Sequence, residues 1–198
     1  MSTLEAVGFV VAGGRSRRMG RDKALLGWGG ATLIDHAIAI LEPVCSEVRV
    51  LSGLQRRYTD RGRAVVVDVA TDAGPLGGLA AALADAAPRP VILLAVDMPF
   101  VPSALLRDLG ESLAGWEVAV PVIPAGPEPL CAAYAAACLD AVRDALAAGE
   151  RKMTSFWPRV RVRERPAQEL ARFGPPERMF RNLNDPSDYS AASNGRPR

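Results

Sequence analysis

The stretch VVAGGRSRRMGRDKALL, Val10 to Leu26, decides how the rest of the chain is read. An apolar run stops at Ala12, and positions 13–23 then carry three glycines and five basic side chains: Arg15, Arg17, Arg18, Arg21 and Lys23. Like charges repel, so a loop of this composition is built to meet something strongly negative. Consecutive glycines let backbone N–H groups approach an oxyanion closely. Arginine's fork matches phosphate geometry, and lysine adds a point charge. Together they describe a polyphosphate cradle placed directly after a strand. It is not a P-loop, because Gly14 and Gly20 are wrongly spaced for GxxxxGK[ST] and Arg21-Asp22 follows. It is not a GxGxxG fingerprint either, since Gly13 and Gly14 are adjacent.

The whole chain sets limits on what the cradle serves. Its 198 residues suit one domain, expected over 1–190, with a frayed tail over 191–198. The net charge is only +2, so the positive charge is local. An extended nucleic-acid surface needs more Lys and Arg interleaved with aromatics, and no nucleic-acid partner is expected. No run approaches the ~20 apolar residues of a membrane helix, and the N-terminus has no basic start or cleavage site, so no membrane partner is expected either. Cys45, Cys131 and Cys138 form no CxxC pair and read as buried thiols of a cytoplasmic protein.

Outward from the loop, short β-rich runs alternate with helical patterns. Strands are expected at Val7–Val11, Val48–Leu51, Ala64–Val69, Pro90–Val96, Val118–Val122, Pro129–Tyr134, Val160–Arg163 and Phe180–Leu183. Helices are expected at Thr32–Leu41, Leu79–Ala87 after a turn TDAGPLGG, Pro102–Leu113, and an alanine-rich stretch ending near Ala148. The run PVILLAV is apolar throughout, as in a strand buried on both faces. The order predicts an α/β fold, a Rossmann-like open, mostly parallel sheet with helices on both faces. Such folds bind ligands at the carboxyl ends of their strands, which is where the basic loop lies.

Several single residues carry chemistry. Asp97 ends the buried strand, where a hard oxygen can hold Mg²⁺ with phosphate oxygens and water, or can cap the helix that follows. Asp68 follows a valine run and, taken alone, reads as a strand-end turn residue. In FRNLNDPSDY, strand alternation puts Asn182 and Asn184 on one face, ready for a polar ligand edge or to pin the turn. The same segment offers Asp185 as a helix cap, Pro186 at the first helical position and Asp188 to close a capping box. His36 is the only histidine. It lacks partners for a triad or a zinc site and reads as structural.

The stretch AGGRSRRMGRDKALL resembles the pyrophosphorylase motif of nucleotidyltransferases, in the form carried by molybdenum cofactor guanylyltransferases (the molybdopterin-guanine dinucleotide synthesis protein A family). GPLGGL (Gly74–Leu79), AVDMPF (Ala95–Phe100), PLCAAY (Pro129–Tyr134), GERKM (Gly149–Met153) and RNLNDPSDY extend the likeness over nearly the whole chain in order. The resemblance implies a fold like that of nucleotide-diphospho-sugar transferases and Mg²⁺-dependent transfer of GMP from GTP to the molybdenum-molybdopterin cofactor, releasing pyrophosphate. It implies nucleotide contacts from Val11, Ala12, Gly13, Gly14, Lys23, Asp68 and Asp97. Arg18, Lys23 and Asp97 would be catalytic, with Asp97 holding the metal. It further implies acceptor contacts from Arg151, Lys152, Asn182 and Asn184, and molybdoenzymes or their chaperones as further partners. One departure is visible: VRVLSGL has Leu51 or Ser52 where some members place an asparagine. Rival readings are a cytidylyltransferase for the same cofactor, another small nucleotidyltransferase, or an inactive nucleotide-binding accessory protein. Gly13 and the GPLGG stretch favour guanine, and the presence of Lys23 and Asp97 favours an enzyme.

Overall fold

Alternation along LEAVGFVV makes the first strand, β1 (Leu4–Val11), the centre of two cores. Ala6 and Val10 point into one apolar layer, while Val7 and Phe9 point into the other. The computed structural model describes residues 2–13, 22–68, 73–183 and 188–189.

After β1 come a small antiparallel hairpin, β2 (Gly27–Trp28) and β3 (Ala31–Thr32), and helix α1 (Leu33–Leu41). Thr32 and Asp35 form a capping box at the start of α1. The chain continues through β4 (Cys45–Leu51), β5 (Val65–Val66), α2 (Gly74–Ala86), β6 (Val91–Ala95) and α3 (Ser103–Glu111). Then follow β7 (Val118–Ile123), β8 (Gly126–Pro127), β9 (Cys131–Tyr134), α4 (Cys138–Ala147), β10 (Val162–Pro166), α5 (Ala167–Leu170) and α6 (Pro176–Met179).

The main sheet runs β10-β7-β9-β6-β1-β4-β5, with β8 pairing to β7. The β4–β1–β6 centre, the β4–β5 pair and the β7–β10 pair are parallel; β9 is antiparallel to both β6 and β7. Helices α1 and α3 pack in one layer and α2 and α4 in the other, which is the expected two-sided α/β architecture. Every residue of β6 is buried, as its unbroken apolar run requires.

Three expectations change. GPLGG is the first turn of α2 rather than a loop: Gly74 adopts φ +60° at the helix start, and Pro75 fits the first turn because its missing N–H is not needed there. Phe180–Leu183 is not a strand, since it pairs with no sheet edge and instead the Leu183 N–H donates to the Asp97 carbonyl, 3.0 Å. Of the strand expected at 64–69, the described residues 64–68 form only Val65–Val66 at the sheet edge, and position 69 lies outside them. The tail at 191–198 lies outside the described residues, as do Asp185 and Pro186.

Candidate active site

Because β1, β4, β5 and β6 are parallel, their carboxyl ends converge on one edge. The links beyond the strands knit that edge together. Ala12 N–H donates to Leu51 O (2.9 Å), Val96 N–H to Val11 O (3.1 Å), Ser52 N–H to Val66 O (3.1 Å) and Asp68 N–H to Gly53 O (2.9 Å). Val11, Ala12, Gly13, Asp68 and Asp97 thus lie together at one edge of the sheet. Gly14 and Arg18 lie outside the described residues, as do Arg15, Arg17 and Arg21.

Gly13 is pressed against the next loop. A Cβ there would lie 2.9 Å from the Gly53 nitrogen and 3.0 Å from its Cα, with only backbone available to yield. Gly13→Ala is therefore expected to destabilise the fold by about 1–3 kcal/mol, the usual cost of overpacking. Chemical denaturation of the two proteins checks this, and an unchanged midpoint would mean that the two loops are not in contact. Ser52 is buried and its hydroxyl donates to the Gln55 carbonyl at 2.7 Å, so the side chain shapes its own turn. No ligand contact carries over to it.

Lys23 resumes the chain on the far side of the basic loop, in a 3₁₀ turn capped by Asp22. Its ammonium lies 3.0 Å from Asp97 Oδ2, with the two side chains 14% and 24% exposed. Asp97 does not cap α3: the residue before α3 is Pro102, without a side-chain cap. His36 donates from Nε2 to the Pro99 carbonyl at 2.8 Å, an architectural contact.

Glu128 is a residue the sequence reading passed over. Continued beyond the Leu94–Cys131 pair, the antiparallel β6–β9 register brings it abreast of Asp97. Burial, and after it the negative charge of Asp97, push its carboxyl above the ordinary value. The signal was present in the acidic residue immediately before PLCAAY. Asp68 is a second perturbed carboxyl. Burial raises it, and its Oδ1 is enclosed with no hydrogen-bond partner among the described residues. A Cβ on Gly78 would sit 3.4 Å from that oxygen.

One helical turn earlier on α2, a Cβ on Gly74 would sit 3.3 Å from the Arg151 carbonyl. Positions four apart share a helix face, so the GERKM loop reaches the same face of α2 as Asp68. The Arg151 guanidinium donates to Glu150 O (2.7 Å) and Leu146 O (3.3 Å). Lys152 is exposed. Asn182 lies one residue before the Leu183–Asp97 bond, its Oδ1 enclosed without a described partner. Asn184 lies outside the described residues; Asn182 belongs to 181–183, which forms no strand.

The comparisons with known proteins follow this geometry. Residues 8–164 match the model of the MobA-like NTP transferase domain. A protein of Pelotomaculum thermopropionicum named "Probable molybdenum cofactor guanylyltransferase" is 38% identical over 189 residues, 96% of this chain and 92% of that protein. The molybdenum cofactor guanylyltransferase of Syntrophotalea carbinolica is 31% identical over 182 residues, 91% of this chain and 87% of its own length. Among solved structures, molybdopterin-guanine dinucleotide biosynthesis protein A of Archaeoglobus fulgidus superposes with a TM-score of 0.81 at 26% identity, covering 96% of this chain and 97% of that one. With its model match over residues 8–164 and its relatives matched over nearly the whole chain, the chain belongs to the MobA-like NTP transferase family.

Proposed function

We propose that this protein transfers GMP from GTP to the molybdenum-molybdopterin cofactor, forming the guanine dinucleotide cofactor and pyrophosphate. The observation that carries the reading is the Lys23–Asp97 pair, which sets a cation beside a carboxylate at the sheet edge where β1 and β6 end. In the reaction, an ionised oxygen of the acceptor's terminal phosphate attacks the α-phosphorus of GTP. The bond from the α-phosphorus to the bridging oxygen breaks, and pyrophosphate leaves with its electron pair. An ionised nucleophile needs no strong general base; in-line placement and neutralisation of charge carry the rate. Gly13, Gly14 and the basic side chains hold the β- and γ-phosphates, and Lys23 and Arg18 balance the departing charge. Val11 and Ala12 shape the floor beneath the nucleotide.

The donor set fits Mg²⁺. No group of three or more His, Cys, Asp or Glu residues among those described could cage a metal alone. Asp97, with Glu128 nearby, suits a cation that takes most of its ligands from phosphate and water. When bound, Mg²⁺ would neutralise charge developing on the phosphoryl oxygens. Asp68 serves guanine: an enclosed acceptor without a partner matches the N1–H and N2–H₂ donors of that base. Helix α2 starts beside it with no side-chain cap on its first N–H groups.

Asn182, Arg151 and Lys152 belong to the acceptor side in this reading. Asn182→Ala is expected to leave GTP affinity within about twofold and to weaken productive cofactor binding about tenfold, the worth of one or two buried amide hydrogen bonds. Paired titrations with GTP and cofactor decide it; a parallel fall in GTP affinity places Asn182 on the wrong substrate. The reading includes a cytoplasmic location, consistent with three buried free thiols. No helix among the described residues is long and apolar enough to cross a membrane. Handover of the product to molybdoenzymes or their chaperones belongs to the same reading.

The test is thermal-shift binding with GTP, CTP, ATP and UTP, each with Mg²⁺, followed by an assay of pyrophosphate release. A ligand at 100 times its Kd stabilises the fold by about 2.7 kcal/mol. GTP is expected to bind at least about tenfold more tightly than CTP, since cytosine lacks guanine's adjacent N1–H and N2–H₂ donors and can offer the carboxylate one amino group at most. Equal stabilisation by both, or preference for CTP, transfers the assignment to a cytidylyltransferase. GTP binding without turnover makes the protein an accessory factor.

A further inference from the structure

The loop between β4 and β5 carries an arrangement that nucleotide binding does not by itself require. Arg57 Nη1 donates to Asp22 Oδ2 at 3.1 Å, and its Nη2 donates to the carbonyls of Ala12 (3.4 Å) and Ser52 (3.3 Å). Tyr58 OH lies 2.9 Å and 2.8 Å from the two oxygens of the same Asp22 carboxylate. Asp22 Oδ1 in turn accepts the Ala24 N–H at 3.1 Å and so caps the turn that carries Lys23. Farther along the same loop, Arg61 binds both oxygens of Asp35 at the start of α1, at 3.1 and 3.0 Å.

Ala12 and Asp22 flank the basic loop on its two sides, and one guanidinium touches both. We infer that Arg57, supported by Tyr58, is a positioning residue that ties Asp22 to the end of β1, on the two described sides of the phosphate-binding loop, and so fixes the placement of Lys23 opposite Asp97. This rests on the reading of that loop as the triphosphate site. Three observations favour the inference over a merely structural staple. First, a free carboxylate at the end of a polyphosphate cradle would repel the ligand and compete for its cations. Arg57 and Tyr58 occupy both Asp22 oxygens, which removes that competition. Second, Tyr58 is the one non-glycine residue with positive φ among those described, at +64°, and backbone strain of this kind collects at functional sites. Third, Arg57 Nε is enclosed without a hydrogen-bond partner among the described residues, so the side chain is oriented for its two terminal nitrogens at a cost.

The experiment measures kcat and KM for GTP and for the cofactor in Arg57→Ala, Arg57→Lys and Tyr58→Phe, each also combined with Lys23→Ala. Arg57→Ala is expected to lower kcat/KM for GTP by about 10- to 100-fold, the usual result of misplacing a phosphate-positioning group by an ångström. KM for the cofactor should stay within about twofold. Arg57→Lys should fall as far, because an ammonium cannot span three separated acceptors. Tyr58→Phe, which keeps the ring, is expected to lose about three- to tenfold. In the Lys23→Ala background all three should change kcat/KM by less than about twofold, because residues that act through one group are not additive. Full activity of Arg57→Lys, or losses that simply add to that of Lys23→Ala, overturns the inference. If Lys23→Ala itself leaves the GTP kinetics unchanged, the triphosphate reading of the loop fails, and the inference with it. Should Arg57→Ala not fold, Arg57→Lys and Tyr58→Phe decide the same cycle.

Discussion

Asp97→Asn is expected to slow guanylyl transfer by roughly 10²–10³-fold, the range seen when a preorganised charge partner of the transition state is removed. The substitution is nearly isosteric, so the strand end should keep its shape. The carbonyl of residue 97 still accepts from the Leu183 N–H, and β6 is buried by apolar side chains alone. The lost Lys23 pair is partly exposed, which limits the stability change to about 1 kcal/mol or less. The signature is thus a large rate loss with little change in melting temperature. Raising Mg²⁺ should recover part of the rate, because one charged ligand has been weakened rather than the whole donor set. Initial rates of pyrophosphate release across a Mg²⁺ series check this. Near-normal activity at low Mg²⁺ would show that Asp97 holds no metal and that its pairing with Lys23 is architectural. Glu128→Gln is the companion variant, since the Asp97 charge is close enough to help raise the Glu128 carboxyl.

How far the sequence carried the reading differs from element to element. VILLA announces a doubly buried central strand, and the GRDK end of the basic loop announces Lys23, because both signals are local. The antiparallel placement of β9 was not legible: CAAY is apolar whichever way it runs, and only the finished sheet fixes direction. GPLGG misleads because three glycines and a proline read as a turn. In the structure the proline occupies a first-turn position, and the glycines serve close approach to Arg151 and Asp68. The Arg57–Tyr58–Asp22 contacts join residues 35 and 36 positions apart, and no periodicity in QRRYTDRG hints at them. Glu128 was missed for a similar reason, since its partner lies on another strand. Asp68 was legible as a strand-end carboxylate, but its enclosure was not, because that depends on α2 starting five residues earlier than the alanine run suggests.

The enclosure of Asp68 leads to a trade between stability and binding. In the free protein its carboxyl is raised by burial alone, and its Oδ1 has no described partner to repay the lost hydration. A carboxyl raised in the folded state binds its proton more tightly there than in the unfolded chain. Its contribution to stability is therefore fully present below the ordinary value of 3.8 and is lost as pH rises from that value through the raised one. Asp68→Asn removes the charge and with it this loss. The ligand-free variant should melt close to the wild type at pH 4 and above it at pH 7. Binding should move the opposite way, because the amide replaces one charged acceptor by a neutral one and presents a donor to guanine's own donors. A hydrogen bond to a charged group is worth about 1.5–3 kcal/mol, so GTP affinity should fall about 10- to 100-fold while CTP affinity changes little. Melting curves at the two pH values, with and without each nucleotide, read both effects in one experiment. The titration is repeated with and without Mg²⁺, because a carboxylate serving the metal would lose affinity only when Mg²⁺ is present. A loss confined to the Mg²⁺ arm would move Asp68 from the base to the metal. A variant that melts lower than the wild type at pH 7 would show that the carboxylate is satisfied in the free protein and holds no acceptor in reserve for guanine.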